Sequence, residues 1–141
     1  MKVLLDTNTV ISGLLWGGLP RRLMSLANTP NTTVRLYTSP ILLLELERTL
    51  LKPKFAARLI AHGVTASQLV TRYEGICRIV SPASVPRIVR TDPDDDHVIA
   101  AALAAQVNLI VSGDRHLLEI ARHQDITIVT TAQALTFIAQ I

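Results

Sequence analysis

Short apolar runs separated by helical patterns are the feature that most restricts how this 141-residue chain can fold. Residues 2–5, 108–111 and 126–129 form such runs, which are too short for helices and suit strands buried on both faces. This alternation predicts an α/β fold, a three-layer α/β/α sandwich around a mostly parallel five-stranded sheet. The length favours one domain spanning residues 1–141.

Capping and helix-breaking residues set the expected element boundaries. We predict strands at 2–5, 35–38, 77–80, 108–111 and 126–129. A helical region broken at Gly17–Gly18 is expected over 10–27, with further helices at 40–51, 54–62, 66–75, 96–105, 115–122 and from 132. Ser39 and Thr65 are expected to cap the helices that follow them, and a proline-containing linker is expected up to Thr91.

Two of the predicted strands are followed by an aspartate. Asp6 comes directly after the first strand, in LLDTN, and Asp114 follows a later one, in NLIVSGD. Ligands bind at the carboxyl ends of parallel strands where the chain connections diverge, so both carboxylates are expected to become neighbours there. A divalent cation would relieve their mutual repulsion. Each aspartate could instead serve only as a helix cap.

A third acidic segment is DPDDDHVIAAALAA, which carries Asp92 and the Asp94–Asp96 run just before a predicted helix. The helix dipole and the cap explain one or two of these acids. The remaining charge suits Mg²⁺ or Mn²⁺, which prefer carboxylate oxygens and keep several waters. His97 follows the run, and we do not take this single histidine as a ligand.

Glu45 is the fourth acidic candidate, in the helical stretch SPILLLELERTL. It lies about 200° from Glu47 on a helical wheel, nearer to the apolar side of the helix. We therefore expect a buried Glu45 whose charge is balanced by a metal ion or by a nearby arginine. The apolar side, which we expect to be well buried, consists of Leu42, Leu43, Leu46 and Leu50.

The charge distribution supports a polyanionic ligand. The chain has 14 Lys and Arg against 11 Asp and Glu, a net charge of +3. Seven of the acids fall in the four segments above, which leaves four to face all the cationic side chains. An acidic pocket on a basic body suits a polyanion held by Lys and Arg, although a generally basic surface would give the same net charge.

Other compositional features exclude several classes of protein. The single cysteine, Cys77, rules out an internal disulfide and disfavours a zinc site with cysteine ligands. The longest apolar runs are too short to cross a bilayer, and Asp6 and Asn8 interrupt the N-terminal stretch. We therefore expect a cytoplasmic protein without membrane association.

These motifs together resemble the PIN-domain family, in particular toxin-like PIN proteins related to VapC-type ribonucleases. The matching segments, in the family's order, are LLDTNTVISGL, SPILLLEL, DPDDDHVIAAALAA and LIVSGDRHLL. The resemblance implies a PIN-like sandwich and Mg²⁺- or Mn²⁺-dependent hydrolysis of single-stranded RNA. It places metal ligands at Asp6, Glu45, one aspartate of the 94–96 run and Asp114. For the ambiguous position we favour Asp95, with Asp96 as second choice. Thr7, Asn8 and Ser112 match small polar positions that orient carboxylates and metal-bound waters.

The resemblance further implies a toxin with a cognate antitoxin partner that covers the acidic pocket, and a homodimer. The main alternative is a non-catalytic PIN-like module that binds RNA or protein. An aspartyl-phosphate phosphatase would need a second aspartate where the chain has Asn8, and a phospho-receiver domain would need a lysine near Thr130–Thr131. Arg21, Arg22 and Arg115 are candidates for guiding RNA. Because aromatic residues make up only 4% of the chain, backbone contacts should dominate RNA binding.

Overall fold

The centre of the fold is a six-stranded sheet in the computed structural model, which describes residues 1–82 and 93–141. The predicted linker up to Thr91, Asp92 and the side chain of Asp94 lie outside the described residues. The strands are β1 Lys2–Leu5, β2 Arg35–Thr38, β3 Cys77–Ile79, β4 Leu109–Val111, β5 Arg122–His123 and β6 Ile126–Val129. Their spatial order is β3-β2-β1-β4-β6-β5. All neighbouring pairs are parallel except β5 with β6, so the predicted α/β class is confirmed.

Eight α-helices surround this sheet within the described part of the chain. They are α1 Thr7–Leu15, α2 Gly18–Ala27, α3 Pro40–Leu50, α4 Ala56–His62, α5 Ala66–Gly75, α6 Pro93–Ala105, α7 Arg115–Ile120 and α8 Thr131–Ala139. A 3₁₀ turn at Pro53–Phe55 precedes α4. Over the described residues, no helix is both long and apolar enough to cross a membrane.

Two apolar cores lie on opposite faces of the sheet, because successive side chains of a strand point to opposite sides. Val3 and Leu5 of β1 belong to one core, which contains residues of α1, α2, α3, α5 and α8. Leu4 belongs to the other, which contains residues of α6 and α7. The sheet is therefore covered by helices on both faces, as the sequence predicted.

The predicted number of strands was wrong, since the structure has six and not five. The additional strand is β5, which was predicted as the end of a helix over 115–122. Helix α7 stops at Ile120 because Ala121 adopts a positive φ of 60°, and the next two residues pair antiparallel with β6. Ser39 and Thr65 cap α3 and α5 as predicted.

The position of β1 determines where a ligand can bind. From β1 the chain moves outward to β2 and β3, and it then returns to β4 on the other side of β1. The two connections diverge at the carboxyl ends of β1 and β4 and leave a crevice there. Leu5 is paired with Val111 in the ladder, so the residues that follow these two strands emerge side by side.

Candidate metal centre

Asp6, Ser112 and Asp114 form one hydrogen-bonded group at the carboxyl ends of β1 and β4. The Ser112 hydroxyl donates to Asp6 Oδ2 and accepts from the Asp114 N–H at 2.9 Å. Asp6 Oδ1 accepts from the Thr9 N–H at 2.9 Å and so caps α1. Asp114 Oδ1 in turn accepts from the His116 N–H at 2.7 Å and caps α7. Both aspartates are therefore helix caps, and they also lie beside each other at the crevice.

Burial raises the pKa of Asp6, a residue that is only 5% exposed. Hydrogen bonds from Ser112 and Thr9 lower this pKa, and the negative charge of Asp114 raises it. Burial outweighs the hydrogen bonds. Ionisation of Asp6 is thus less favourable than that of an exposed aspartate, and a divalent ion beside it would favour the ionised form.

Among the described residues, four carboxylates line one cavity of about 190 Å³, which we call the acidic cavity: Asp6, Glu45, Asp95 and Asp114. They come from the residue after β1, the middle of α3, the first turn of α6 and the N-cap of α7 after β4. The remaining wall consists of Thr7, Asn8, Thr49, Lys52 and Val98. Residues as distant in sequence as 6 and 114 therefore meet at the crevice.

The acidic run contributes Asp95 to this cavity, whereas Asp96 is not among the lining residues. Both are buried, at 7% and 1% exposure. The prediction that the helix starts at residue 96 was wrong, because α6 begins at Pro93 and both aspartates lie in its first turn. Adjacent helical residues point about 100° apart, so they cannot both face the cavity equally. His97 lines a separate cavity with Ser39 and Pro82.

Glu45 lies on α3 at the cavity wall and is half-buried, whereas the sequence predicted a buried glutamate. The four leucines that define the apolar side of α3 are buried as predicted, but Leu44 is 49% exposed. The Thr49 hydroxyl donates to the Glu45 carbonyl at 2.8 Å, which places Thr49 one turn further along the same wall. The exposure of Glu45 suits a ligand at the mouth of the cavity.

Lys52 is a wall residue that sequence analysis missed. It is exposed and lines the acidic cavity, so it lies at the rim. Its backbone is held by two turns: its N–H donates to the Thr49 carbonyl at 3.1 Å and its carbonyl accepts from the Phe55 N–H at 3.0 Å. The following Pro53 further restricts it to an extended conformation. That proline was the only sequence signal of a fixed position.

The other predicted residues of the site also lie here. Thr7 is 8% exposed and Asn8 is exposed, and both line the acidic cavity.

Arg21, a candidate for guiding RNA, instead donates to the carbonyls of Gly13 and Leu14 at 2.9 and 3.2 Å and so completes the end of α1. Arg115 forms an exposed ion pair with Glu119 at 3.6 Å.

The residues of the acidic cavity fit Mg²⁺ or Mn²⁺ by the chemistry of their donors. All four acids offer carboxylate oxygens, which these ions prefer to nitrogen or sulfur. At about 30 Å³ per water, the 190 Å³ volume corresponds to roughly six waters, enough for an ion that keeps part of its hydration shell. Among the described residues, no three His, Cys, Asp or Glu side chains are close enough to bind an ion directly as they stand. Mg²⁺ usually keeps several of its waters, so it can also contact carboxylates through water.

A larger cavity of about 600 Å³ adjoins the acidic one, and we call it the flanking groove. It lies between the first turns of α1, α2 and α8 and the segment after β4. Asn8 and Asp114 line both cavities. The flanking groove also contains Ser12, Leu19, Thr131 and Ala132.

Comparison with known proteins identifies a family and a solved structure of similar fold. The family model described as "PIN domain" matches residues 2–116. A chain in the crystal structure of VapBC2 from Rickettsia felis, bound to a DNA fragment from their promoter, has a similar fold. The TM-score is 0.61 at 14% sequence identity, with 91% of this chain and 97% of that chain covered. No curated protein sequence gives a significant match.

Proposed function

This chain belongs to the PIN-domain family, and we propose that it is a metal-dependent endoribonuclease that hydrolyses phosphodiester bonds of single-stranded RNA. We take residues 1–141 as a single PIN-like nuclease domain. The observation that carries the proposal is the convergence of Asp6, Glu45, Asp95 and Asp114 on one cavity. Four carboxylates around so small a volume repel one another, and a bound divalent cation would relieve that repulsion.

In this proposal the four acids hold Mg²⁺ or Mn²⁺, and Asp96 stays a predicted further ligand. The bound ion supplies activation of a water molecule and stabilisation of charge on the phosphate. Ser112 holds Asp6 in a fixed orientation and ties it to the Asp114 backbone, so the relative position of the two carboxylates is set before substrate arrives. Thr7 and Asn8 orient waters at the cavity wall.

Lys52 supplies positive charge at the rim of the acidic cavity. Its ammonium group, on a flexible four-carbon stem, can follow a phosphate oxygen as charge builds up during attack. An RNA chain approaching four carboxylates needs such a cation on the approach side. Lys52 is the one cationic residue that lines the cavity within the described residues.

The test is cleavage of a mixed pool of single-stranded RNA with Mg²⁺ or Mn²⁺, with and without EDTA. We expect metal-dependent cleavage that Asp6→Asn and Asp114→Asn each abolish. Asp125→Asn is the matched control, because Asp125 is an exposed acid remote from the cavity, 3.8 Å from Arg122. Cleavage that survives both site substitutions refutes the assignment, and RNA binding without cleavage would favour the non-catalytic module.

We also propose that the protein is the toxin of a toxin–antitoxin pair, acting in the cytoplasm as a homodimer bound by a cognate antitoxin. The fold it shares with a chain of a VapBC2 structure supports this role. Exposed apolar side chains such as Trp16, Leu51 and Ile60, at 53, 66 and 80% exposure, suit surfaces covered by protein partners. Expression of the chain alone should slow growth, and co-expression of the neighbouring reading frame should restore it. The role is rejected if neither effect occurs.

A further inference from the structure

We infer that the flanking groove binds the nucleotide adjacent to the scissile phosphate and so contributes to the choice of cleavage site. This inference rests on the proposed ribonuclease function. The two cavities adjoin, since Asn8 and Asp114 line both. A phosphate in the acidic cavity would therefore direct one of its attached nucleosides into the groove.

The volumes assign different parts of the substrate to the two cavities. The acidic cavity, at about 190 Å³, is filled by an ion, its waters and a phosphate oxygen. The flanking groove, at about 600 Å³, lies within the range of about 300–1,000 Å³ typical of sites for small organic ligands. The groove therefore offers a base with its ribose more room than the acidic cavity does.

The lining of the groove suits a neutral base more than a second phosphate. Within the described residues, Asp114 is the only ionisable side chain of this lining. Leu19, at 45% exposure, and Pro20 give an apolar wall against which the face of a base can pack. Hydroxyl groups on Ser12 and Thr131 can donate to or accept from the edge of that base.

The apolar wall is held in place by the junction of α1 and α2. Gly17 and Gly18 have φ of +90° and +65°, which side chains other than glycine rarely adopt, and they turn the chain into α2 just before Leu19. A Cβ on Gly13 would lie 2.5 Å from Met24 Sδ, so α1 and α2 are in close contact. Leu19 is therefore presented by a fixed helix start.

Two substitutions change the groove without touching the acids. Ala132→Trp, on the exposed first turn of α8, would fill the groove, and Leu19→Ala would remove its apolar wall. Ala139→Trp is the matched control, because Ala139 is exposed at the far end of the same helix. For each variant, kcat and KM on RNA oligonucleotides, the cleavage profile in a random RNA pool and the Kd for Mn²⁺ by electron paramagnetic resonance are measured.

We expect both groove variants to bind Mn²⁺ like the wild type, while KM for RNA rises about tenfold and the nucleotide preference changes at one position beside the cut. Ala139→Trp should match the wild type in every measurement. An unchanged KM and an unchanged cleavage profile in both groove variants would overturn the inference. It would also be overturned if the groove variants lost binding to a co-expressed protein partner and nothing else. If the wild type binds Mn²⁺ but cleaves no RNA, it is the proposed function itself that fails.

Discussion

Replacing Ser112 with alanine tests the joint between the two strands that carry Asp6 and Asp114. Ser112 is 1% exposed, and its hydroxyl both donates to Asp6 Oδ2 and accepts from the Asp114 N–H. The substitution removes these two hydrogen bonds and leaves the β1–β4 backbone pairing in place. Any loss of stability can therefore be assigned to the hydroxyl.

The expected magnitude follows from the two bonds. A hydrogen bond to an ionised group contributes about 1.5–3 kcal/mol net, and one between neutral groups about 0.5–1.5 kcal/mol. Because burial already raises the pKa of Asp6, protonation of this carboxyl would relieve part of the loss. We therefore expect the free energy of unfolding of the metal-free protein to fall by about 2 kcal/mol at pH 7. For a chain of this length that corresponds to roughly 6 °C in Tm.

The assay is urea unfolding followed by circular dichroism in metal-free buffer. Ser25→Ala on the exposed side of α2 is the control and should change stability by less than about 0.5 kcal/mol. A double-mutant cycle with Asp6→Asn isolates the charge-assisted bond and should give a coupling energy of about 1–2 kcal/mol. A Ser112→Ala variant as stable as the control, or a coupling energy near zero, would refute the role given to this hydroxyl.

Three further predictions concern other groups. Burial raises the pKa of Asp6 in the folded protein above its ordinary value of 3.8. Ionisation of Asp6 therefore opposes folding as the pH rises from 3.8 through this raised pKa. In urea unfolding without metal, Asp6→Asn should therefore be more stable than the wild type at pH 7 and lose this advantage at acidic pH. Added Mn²⁺ should not stabilise the variant. A variant less stable than the wild type at pH 7 would contradict this prediction. Lys52→Ala should lower kcat/KM for RNA about tenfold. The control is Lys54→Ala, because the Lys54 ammonium lies 5.1 Å from the centre of the Phe55 ring, and its kcat/KM should stay within about threefold of the wild type. Equal effects of the two substitutions would remove Lys52 from the mechanism. Burial raises the pKa of Cys77 to about 12. At pH 8 an aromatic disulfide reagent should therefore label the native protein roughly a thousandfold more slowly than the unfolded chain. Similar labelling rates would show that the thiol is accessible in the native protein.

Much of the architecture was predictable because its strands are apolar and its helices begin with recognisable caps. KVLL and LIV are buried strands in the structure, and Ser39 followed by Pro40 marks the start of α3. β5 carried no comparable signal. It consists of Arg122 and His123, which have no apolar alternation, and it exists because the chain turns back at Ala121 to pair with β6.

The site was predictable in part for a similar reason. Asp6 directly follows the buried strand β1, and Asp114 comes shortly after the buried strand β4, so the sheet topology brings them to one edge. Pro53 signals the end of α3 beside Lys52. Lys52 reaches the same cavity, however, only because α3 packs beside α1, and that relation is not encoded near Lys52 itself. The choice between Asp95 and Asp96 depends on which of the two α6 turns toward the cavity. Because α6 begins at Pro93, three residues before the predicted start, the sequence prediction could not decide between them.

The reversal of strand order at β1 has a consequence for assembly. Residues 1–82 form the half-sheet β3-β2-β1, and residues 93–141 form the half-sheet β4-β6-β5. The first half carries Asp6 and Glu45, while the second carries Asp95 and Asp114. Neither half holds enough carboxylates to make the acidic cavity, so the pocket comes into being only when the halves dock along β1 and β4. Restored cleavage on mixing two separately produced fragments would therefore report their complementation into the native fold.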